Sequence, residues 1–253
     1  MSDNTAAVVI PTRLGGPLLA DALAAVEGWT VFVVDDSDDG LDLPEGVHGV
    51  RAGGLGFAAS CNLGLAAAEA AGHPLVVLLN DDARPAAGCI NGLLGTWRDG
   101  VGAVGPVLID GDGEVTSAGI RFSWWGRVKE SRHVYAEDAP MDAISGACML
   151  VRSSERFAAG YPHGMEDVAL CASLRERGLV VVLTPRGRCV HLGGRTLSPA
   201  DPEAAYGALA GHLRLVDNDW RAAVVLGLAV ASVLRTGPSP ARLRALGRAW
   251  EQR

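Results

Sequence analysis

The stretch Leu75-Val76-Val77-Leu78-Leu79-Asn80-Asp81-Asp82 constrains this chain more than any other. Five apolar residues of strand length stop abruptly at an amide and two carboxylates. Such a continuous run reads as a strand covered on both faces, which belongs in a parallel sheet between layers of helix. In open sheets of that kind, ligands settle at the carboxyl ends of the strands. The run therefore carries hard oxygen donors to the edge where a ligand would lie. Donors of this type suit Mg²⁺ or Mn²⁺ bridging phosphates. Read alone, Asp81 and Asp82 fit a solvated turn equally well.

The surrounding pattern extends the same architecture. Ala6 to Ile10 is a strand stopped by Pro11, Leu18 to Val26 has helical spacing, and Thr30 to Val34 is a second apolar strand ending in Asp35-Asp36-Ser37. His48 to Arg51 is a short strand, Gly53-Gly54-Leu55-Gly56 a turn, and Phe57 to Ala71 an Ala-rich helix. Alternating strands and helices predict an α/β fold, a Rossmann-like, mostly parallel central sheet flanked by helices. Beyond residue 100 the pattern loosens. Strands are expected at Val101 to Ile109, within Glu114 to Phe122, over Ala143 to Val151 and at Leu179 to Leu183, with a polar loop over Ser123 to Pro140. An amphipathic helix covers Asp167 to Arg177 and stops at Gly178. The chain is mostly helical from Pro202, broken at Gly237-Pro238. Two units are expected: residues 1–200, and a helical segment over 201–253.

At 253 residues the chain can bury a sizeable core. Its net charge of −7 argues against nucleic acid as a partner, because phosphate neutralisation needs clustered Lys and Arg. It leaves room for a nucleotide held through metal and backbone. Cys61, Cys89, Cys148, Cys171 and Cys189 are odd in number and contain no C-x-x-C pair. That fits buried thiols in a reducing compartment and no structural zinc. Met1-Ser2-Asp3-Asn4-Thr5 has no basic, then apolar, leader character. The late apolar run Ala222 to Leu234 falls short of the roughly 20 residues that span a bilayer. A cytoplasmic location is expected.

Three constellations could carry chemistry. If the strands ending in Asp35-Asp36 and Asp81-Asp82 are neighbours, their carboxylates share one edge and repel unless a cation or a base's N–H groups satisfy them. Glu166-Asp167 opens a helix, where acids favour the N-terminus, and either could also serve as a general base. His191, before Gly193-Gly194, is a candidate nitrogen ligand if a carboxylate-bound cation lies near. His48, His73, His133, His163 and His212 have no such context. A competing signal is Gly54-Leu55-Gly56-Phe57-Ala58-Ala59, which has the G-x-G-x-x-A form of dinucleotide sites. Asp81 lies at about the interval of a ribose-binding acid, so an NAD(P)-dependent oxidoreductase using Gly54, Gly56 and Ala59 is the second reading.

Taken in order, these blocks resemble family 2 inverting glycosyltransferases of the GT-A fold, most of all the rhamnosyltransferase-like branch, over roughly Ala7 to Arg195. The carriers are Val8-Val9-Ile10-Pro11-Thr12-Arg13, Val33-Val34-Asp35-Asp36-Ser37, and Gly54 to Gly64 with Phe57 and Asn62 at the motif positions. They continue with Asn80-Asp81-Asp82 at the D-x-D position, Ser145-Gly146-Ala147-Cys148-Met149-Leu150-Val151-Arg152, Glu166-Asp167-Val168-Ala169-Leu170-Cys171 and Val190-His191-Leu192-Gly193-Gly194. Ala159-Gly160-Tyr161-Pro162-His163-Gly164 departs from the family, being shorter than its usual segment there and lacking its acid.

The resemblance implies a nucleotide-diphosphate sugar donor, dTDP-rhamnose or another, with Pro11, Thr12, Asp35, Asn62, Asn80 and Asp81 around it. It implies Mg²⁺ or Mn²⁺ on Asp82 and His191, Asp167 as the base that deprotonates an acceptor hydroxyl, and Glu166 orienting it. Asp142 would touch the acceptor. A non-catalytic nucleotide-sugar-binding homologue is the third reading. The acceptor and the oligomeric state stay open. So does the C-terminal segment, which packs on the domain, forms a dimer interface or meets a membrane surface through its apolar run and Arg235, Arg242, Arg244 and Arg248.

Overall fold

A computed structural model describes residues 6–124, 127–161, 164–193, 209–216, 219–236 and 240–251. Met1 to Thr5, Trp125, His163, Gly194, Arg195, Pro202 and Gly237-Pro238, all part of the reading above, lie outside the described residues. The N-terminal runs become four parallel strands: β1 (Ala6–Thr12), β2 (Thr30–Asp35), β3 (His48–Arg51) and β4 (Leu75–Leu79). They lie in the order β4-β1-β2-β3. Thr12 pairs in register with Asp35 and Val9 with Leu78, so three apolar strands release their chains at one edge.

The continuous apolar character of β1 follows from two cores. Ala7 and Val9 face helix α2 (Phe57–Ala70) and later α4 (Glu166–Glu176), while Val8 and Ile10 face α1 (Gly16–Ala25) and α3 (Cys89–Thr96). Successive side chains of a strand point to opposite faces, so a strand sandwiched between helix layers needs apolar residues at every position. β1 continues through Pro11 instead of stopping there. The ladder to β4 ends at Val9, two residues earlier, so on that side the proline interrupts no pairing.

The second half completes a mixed sheet. After β4 come β5 (Ala83–Pro85), β6 (Val101–Ile109), β7 (Val115–Ser117), β8 (Ile120–Phe122), β9 (Val128–Glu130), β10 (Ala139–Met141), β11 (Cys148–Arg152) and β12 (Val180–His191). The full order is β10-β12-β6-β11-β4-β1-β2-β3, with β6 parallel to β12 and β11 antiparallel to both its neighbours. Three expectations are corrected here. Ser123 to Pro140 is not a plain loop: β9 pairs with β8 and β10 with β12. The strand expected over Ala143 to Val151 begins only at Cys148. The strand expected to end at Leu183 runs on to His191, because a register shift between Thr184 and Arg188 absorbs the irregular stretch.

Three C-terminal stretches are helical: residues 209–214, α5 (Asp219–Thr236) and α6 (Pro240–Glu251). They share a small core of Ala210, Leu213, Val216, Ala222, Val225, Ala245 and Ala249. No described helix is long and apolar enough to cross a membrane.

Close approach sets Gly64. A Cβ on Gly64 of α2 would overlap Val9 and come within 2.9 Å of Val34 Cγ2, so the helix sits directly on β1 and β2. Gly64→Ala is expected to cost about 1–3 kcal/mol through overpacking. Urea denaturation checks this; an unchanged midpoint would show that α2 can lift off the sheet.

Candidate active site

Because β4, β1 and β2 run parallel and in register, Thr12, Asp35 and the Asn80-Asp81-Asp82 turn emerge side by side. The four acids at these strand ends are not equivalent. Asp35 is spent on its own loop. Its Oδ1 accepts from the Ser37 N–H at 3.0 Å and the Ser37 hydroxyl at 2.6 Å, its Oδ2 from the Leu41 N–H at 2.8 Å, and Arg51 pairs with Oδ1 at 3.1 Å. Burial opposes its charge, but these donors outweigh it and hold the carboxyl below its ordinary range.

Asp36 accepts from the Leu55 and Gly56 N–H groups at 2.7 and 3.0 Å, fixing the turn that opens α2. Those N–H groups belong to the G-x-G turn that a dinucleotide would need for its diphosphate. The strand before that turn, β3, is also separated from β4 by β2 and β1. Asp81 therefore leaves a strand about 14 Å from β3, whereas a ribose-binding acid belongs on the strand next to it. The geometry gives the dinucleotide reading no support.

Asp81 and Asp82 split in the same way. Asp81 Oδ2 accepts from the Thr12 hydroxyl at 2.6 Å, and Thr12 in turn accepts from the Gly15 N–H at 3.1 Å. Pro11, buried in register with Val34, fixes the approach to Thr12. Burial raises the Asp81 pKa, the charge of Asp82 adds to this, and Thr12 only partly offsets it. Asp82 faces His191 instead, with Nε2 at 3.3 Å from Oδ1, and its backbone oxygen accepts from the Leu192 N–H. Burial opposes ionisation of Asp82 as well, yet the hydrogen bond and charge of His191 prevail and lower its pKa. Of the two carboxyls Asp82 is the one drawn toward its charged form, and β5, which crosses over to pair Ala83 with His191, holds it beside an imidazole.

On the other side of β4, the Asn80 N–H donates to Ala147 O at 3.0 Å, where β11 begins. The adjoining Gly146 N–H donates to Asp167 Oδ2 at 2.7 Å, and the Val168 N–H donates to Asp167 Oδ1 at 2.7 Å. Met165 precedes this pair of acids at φ 73°, the one described non-glycine residue with positive φ. Such strain concentrates at functional sites. Burial raises the Asp167 pKa against those two donors. Glu166 is raised to about 7, by burial first and then by the charge of Asp167. Its Oε2 is buried without a hydrogen-bond partner, and so is Asn80 Oδ1.

Other expectations resolve differently. Asn62 has a framework role: its oxygen accepts from the Phe157 N–H and its amide donates to Phe157 O, tying α2 to the loop after β11. Asp142 accepts from the Phe122 N–H and pairs with Arg175, which lies two turns along α4, roughly 12 Å from Asp167. All five cysteines are buried and free. The Cys61 thiol is pushed up by burial and by the charges of Glu166 and Asp167, and Cys171 to about 12 by burial, which holds both as unreactive thiols.

Glu130 escaped the sequence reading. Desolvation raises its pKa, the charge of Asp167 adds to this, and His191 opposes it, so β9 brings a further carboxyl within electrostatic reach of both residues, though Glu130 is exposed. The signal was available as Ile120-x-Phe122 and Val128-x-Glu130 flanking a short turn.

The residues fit a divalent cation. Asp82 offers an ionised oxygen, His191 a nitrogen, and Asn80 Oδ1 is an orphaned acceptor at the same strand end. Among the described residues no cluster of three or more His, Cys, Asp or Glu side chains could hold a metal ion. The remaining positions would fall to ligand and water oxygens, as is usual for Mg²⁺.

No family model and no curated protein matches the chain. Solved structures do. The chain superposes on the crystal structure of GalNAc-T7 with UDP, GalNAc and Mn²⁺ at TM-score 0.65 and 15% identity, covering 92% of this chain and 51% of that one. A mannosyltransferase from Pyrobaculum calidifontis, PcManGT, in complex with GDP-Man and Mn²⁺, matches at TM-score 0.57 and 16% identity, over 97% of this chain and 80% of that one. The chain thus spans about half the length of the first structure. At these identities the likeness concerns the fold, which is GT-A: a mixed, mostly parallel sheet with flanking helices.

The raised Glu166 makes a stability test. A carboxyl whose pKa lies higher in the folded than in the unfolded state favours folding below the unfolded value, near 4.5, and that contribution is lost as pH rises through about 7. Glu166→Gln is expected to remove this decline, gaining about 1–2 kcal/mol over the parent at pH 8 after allowance for partial exposure. Denaturant melts at pH 5 and 8 check it. A pH-independent difference would mean Glu166 is ordinary in the folded state.

Proposed function

We propose that the protein is a metal-assisted inverting glycosyltransferase that moves a sugar from a nucleotide-diphosphate donor to an acceptor hydroxyl. One observation carries this reading. The Asp82–His191 pair and the Asp167 carboxylate flank the orphaned Asn80 Oδ1 at the carboxyl edge of the sheet. The two similar structures named above hold UDP or GDP-Man with Mn²⁺, in agreement with such a donor. They differ in base, so the fold leaves the nucleotide open. The motif resemblance favours dTDP-rhamnose.

In this reading residues 1–200 form the catalytic unit and 201–253 an appended helical segment. Thr12 and Asp35 border the nucleoside, Asp35 by keeping the 37–41 loop in shape. Asp82 and His191 would hold Mg²⁺ or Mn²⁺ against the diphosphate. A cation there would neutralise the charge that grows on the leaving diphosphate. Asp167 takes the proton of the acceptor hydroxyl as its oxygen attacks the anomeric carbon from the face opposite the diphosphate. The Gly146 and Val168 N–H groups fix both carboxylate oxygens, so the base is aimed before the acceptor arrives. Its raised pKa strengthens it as a base. Glu166, with a free buried oxygen and a pKa near 7, shares the local charge and can carry a proton without leaving two full negative charges adjacent.

Thermal melts with UDP, GDP, dTDP and NAD(H), each with Mn²⁺ and with EDTA, test the reading first. A diphosphate at about 100 times its Kd adds about 2.7 kcal/mol to stability. The expected result is metal-dependent stabilisation by one diphosphate, lost in Asp82→Ala and in His191→Ala. Metal-independent stabilisation by NAD(H) alone would overturn the proposal.

Asp167→Asn separates enzyme from binding module. Turnover is expected to fall by about 100-fold or more while diphosphate binding persists. Sugar release assayed alongside the melts reads both, and full turnover in this variant would remove Asp167 from the role of base.

A further inference from the structure

The C-terminal helices are built inside out. Their shared core is largely alanine, with Ala210, Ala222, Ala245 and Ala249 buried, while their largest apolar side chains face solvent. On α5 the exposed positions Trp220, Val224 and Leu228 recur every four residues, with only Ala and Gly exposed between them. That spacing draws one continuous stripe along the helix. On α6, Leu243 and Trp250 are exposed at i and i+7, with Arg244 and Arg248 exposed on the adjoining line. These five large side chains, each 38–51% exposed, are most of the exposed large hydrophobics among the described residues. Trp124, more exposed still, lies tilted against Trp220 with ring centroids 5.8 Å apart and extends the patch onto the catalytic unit.

Charge distinguishes the occupants. Helices α5 and α6 carry five arginines against Asp219 and Glu251, a net +3, on a chain whose total is −7, so everything outside them carries −10. In a symmetric dimer the same patch meets itself, which would set the Arg244 and Arg248 line of one copy against that of the other. An anionic lipid surface satisfies both features at once. Acyl chains take the stripe, headgroups take the guanidinium groups, and long arginine stems reach outward while their carbons stay against apolar surface. Trp220 near the start of α5 and Trp250 near the end of α6 sit where interfacial tryptophans anchor helices at headgroup depth. Neither helix is long and apolar enough to cross a bilayer, so on a membrane they would lie in its plane.

We propose that the exposed face of α5 and α6 seats this protein on anionic membrane. The proposal is independent of the donor chemistry. It also gives the chain a site beside a membrane-borne acceptor.

Cosedimentation of the full chain with vesicles of phosphatidylcholine alone, and of phosphatidylcholine mixed with phosphatidylglycerol, tests it. Partition into the anionic vesicles is expected to exceed that into the neutral ones by at least about tenfold and to fall at about 0.5 M salt. Val224→Glu/Leu228→Glu, at exposed positions, is expected to abolish pelleting with an unchanged circular dichroism spectrum. Arg244→Glu provides a second reading that leaves the stripe intact, and its partition is expected to drop severalfold. Equal partition into both vesicles, undiminished pelleting of the double variant, or no pelleting with either vesicle would overturn the proposal. In the last case a concentration-dependent dimer in light scattering, lost in the double variant, would identify a second copy as the occupant.

Discussion

The site depends on a contact between two residues 109 positions apart, Asp82 and His191. Neither strand that carries them is a neighbour of the other. Between β4 and β12 lie β11 and β6, and the gap is bridged because the chain leaving β4 passes over both strand ends to pair as β5 with the last residues of β12. Three paired residues, Ala83, Arg84 and Pro85, thereby hold an imidazole against a carboxylate. Desolvation alone would push Asp82 toward its neutral form, and it is the imidazole that reverses this. The result is a fixed anion at the one point where three parallel strands release their chains.

Around that point the other carboxylates are used up in graded fashion. Asp35 and Asp36 hold the loops that flank β2, with six donors between them, and Asp81 takes the Thr12 hydroxyl. Without such partners, adjacent acids at one sheet edge would destabilise the fold by mutual repulsion. Each internal hydrogen bond that stabilises a loop also removes an acid from competition for a ligand. Asp82 instead meets His191 on one side, and on the other Asp167 accepts from the Gly146 and Val168 N–H groups while Glu166 keeps one oxygen without a partner. They lie on opposite sides of the Asn80 turn, an arrangement that in the proposed reaction would keep a cation and a base apart beside one substrate.

The sheet was legible because burial on two faces leaves little freedom in composition: β4 is apolar at every position, and β1 and β2 are apolar between their polar end residues. The acids at their ends were visible for the same reason, as abrupt departures from that rule. Which acids would be spent internally was not visible, because it depends on backbone donors such as Leu41 and Leu55 that become available only after the loops fold. Asn62 illustrates the point. A motif position reads as a ligand-facing amide, and the fold uses both its polar ends to bind Phe157. Glu130 was overlooked because its two short strands, Ile120–Phe122 and Val128–Glu130, show a hairpin alternation only three residues long on each side of a polar turn. His191 was noticed, but as the tail of a loop, since an irregular stretch in β12 interrupts the alternation that would have extended the strand.

The C-terminal helices also bear on the site itself. A Cβ on Gly211, in the 209–214 helix, would come within 2.8 Å of Met165 Cβ and 3.0 Å of Gly164 O, and Arg214 lies over Gly160. That helix therefore presses on the loop that leads into Glu166 and Asp167, where Met165 is held at φ 73°. Left-handed backbone at a residue with a side chain costs on the order of 1 kcal/mol or more, and persists only where surrounding packing over-determines it. Here the packing partner is the appended segment. The N-terminus of α4 favours negative charge through its dipole while burial opposes it, and both acids are shifted upward, Glu166 also by the charge of Asp167. In the proposed reaction, a displacement of the C-terminal helices would act on Asp167 by relaxing the strained turn that leads into it.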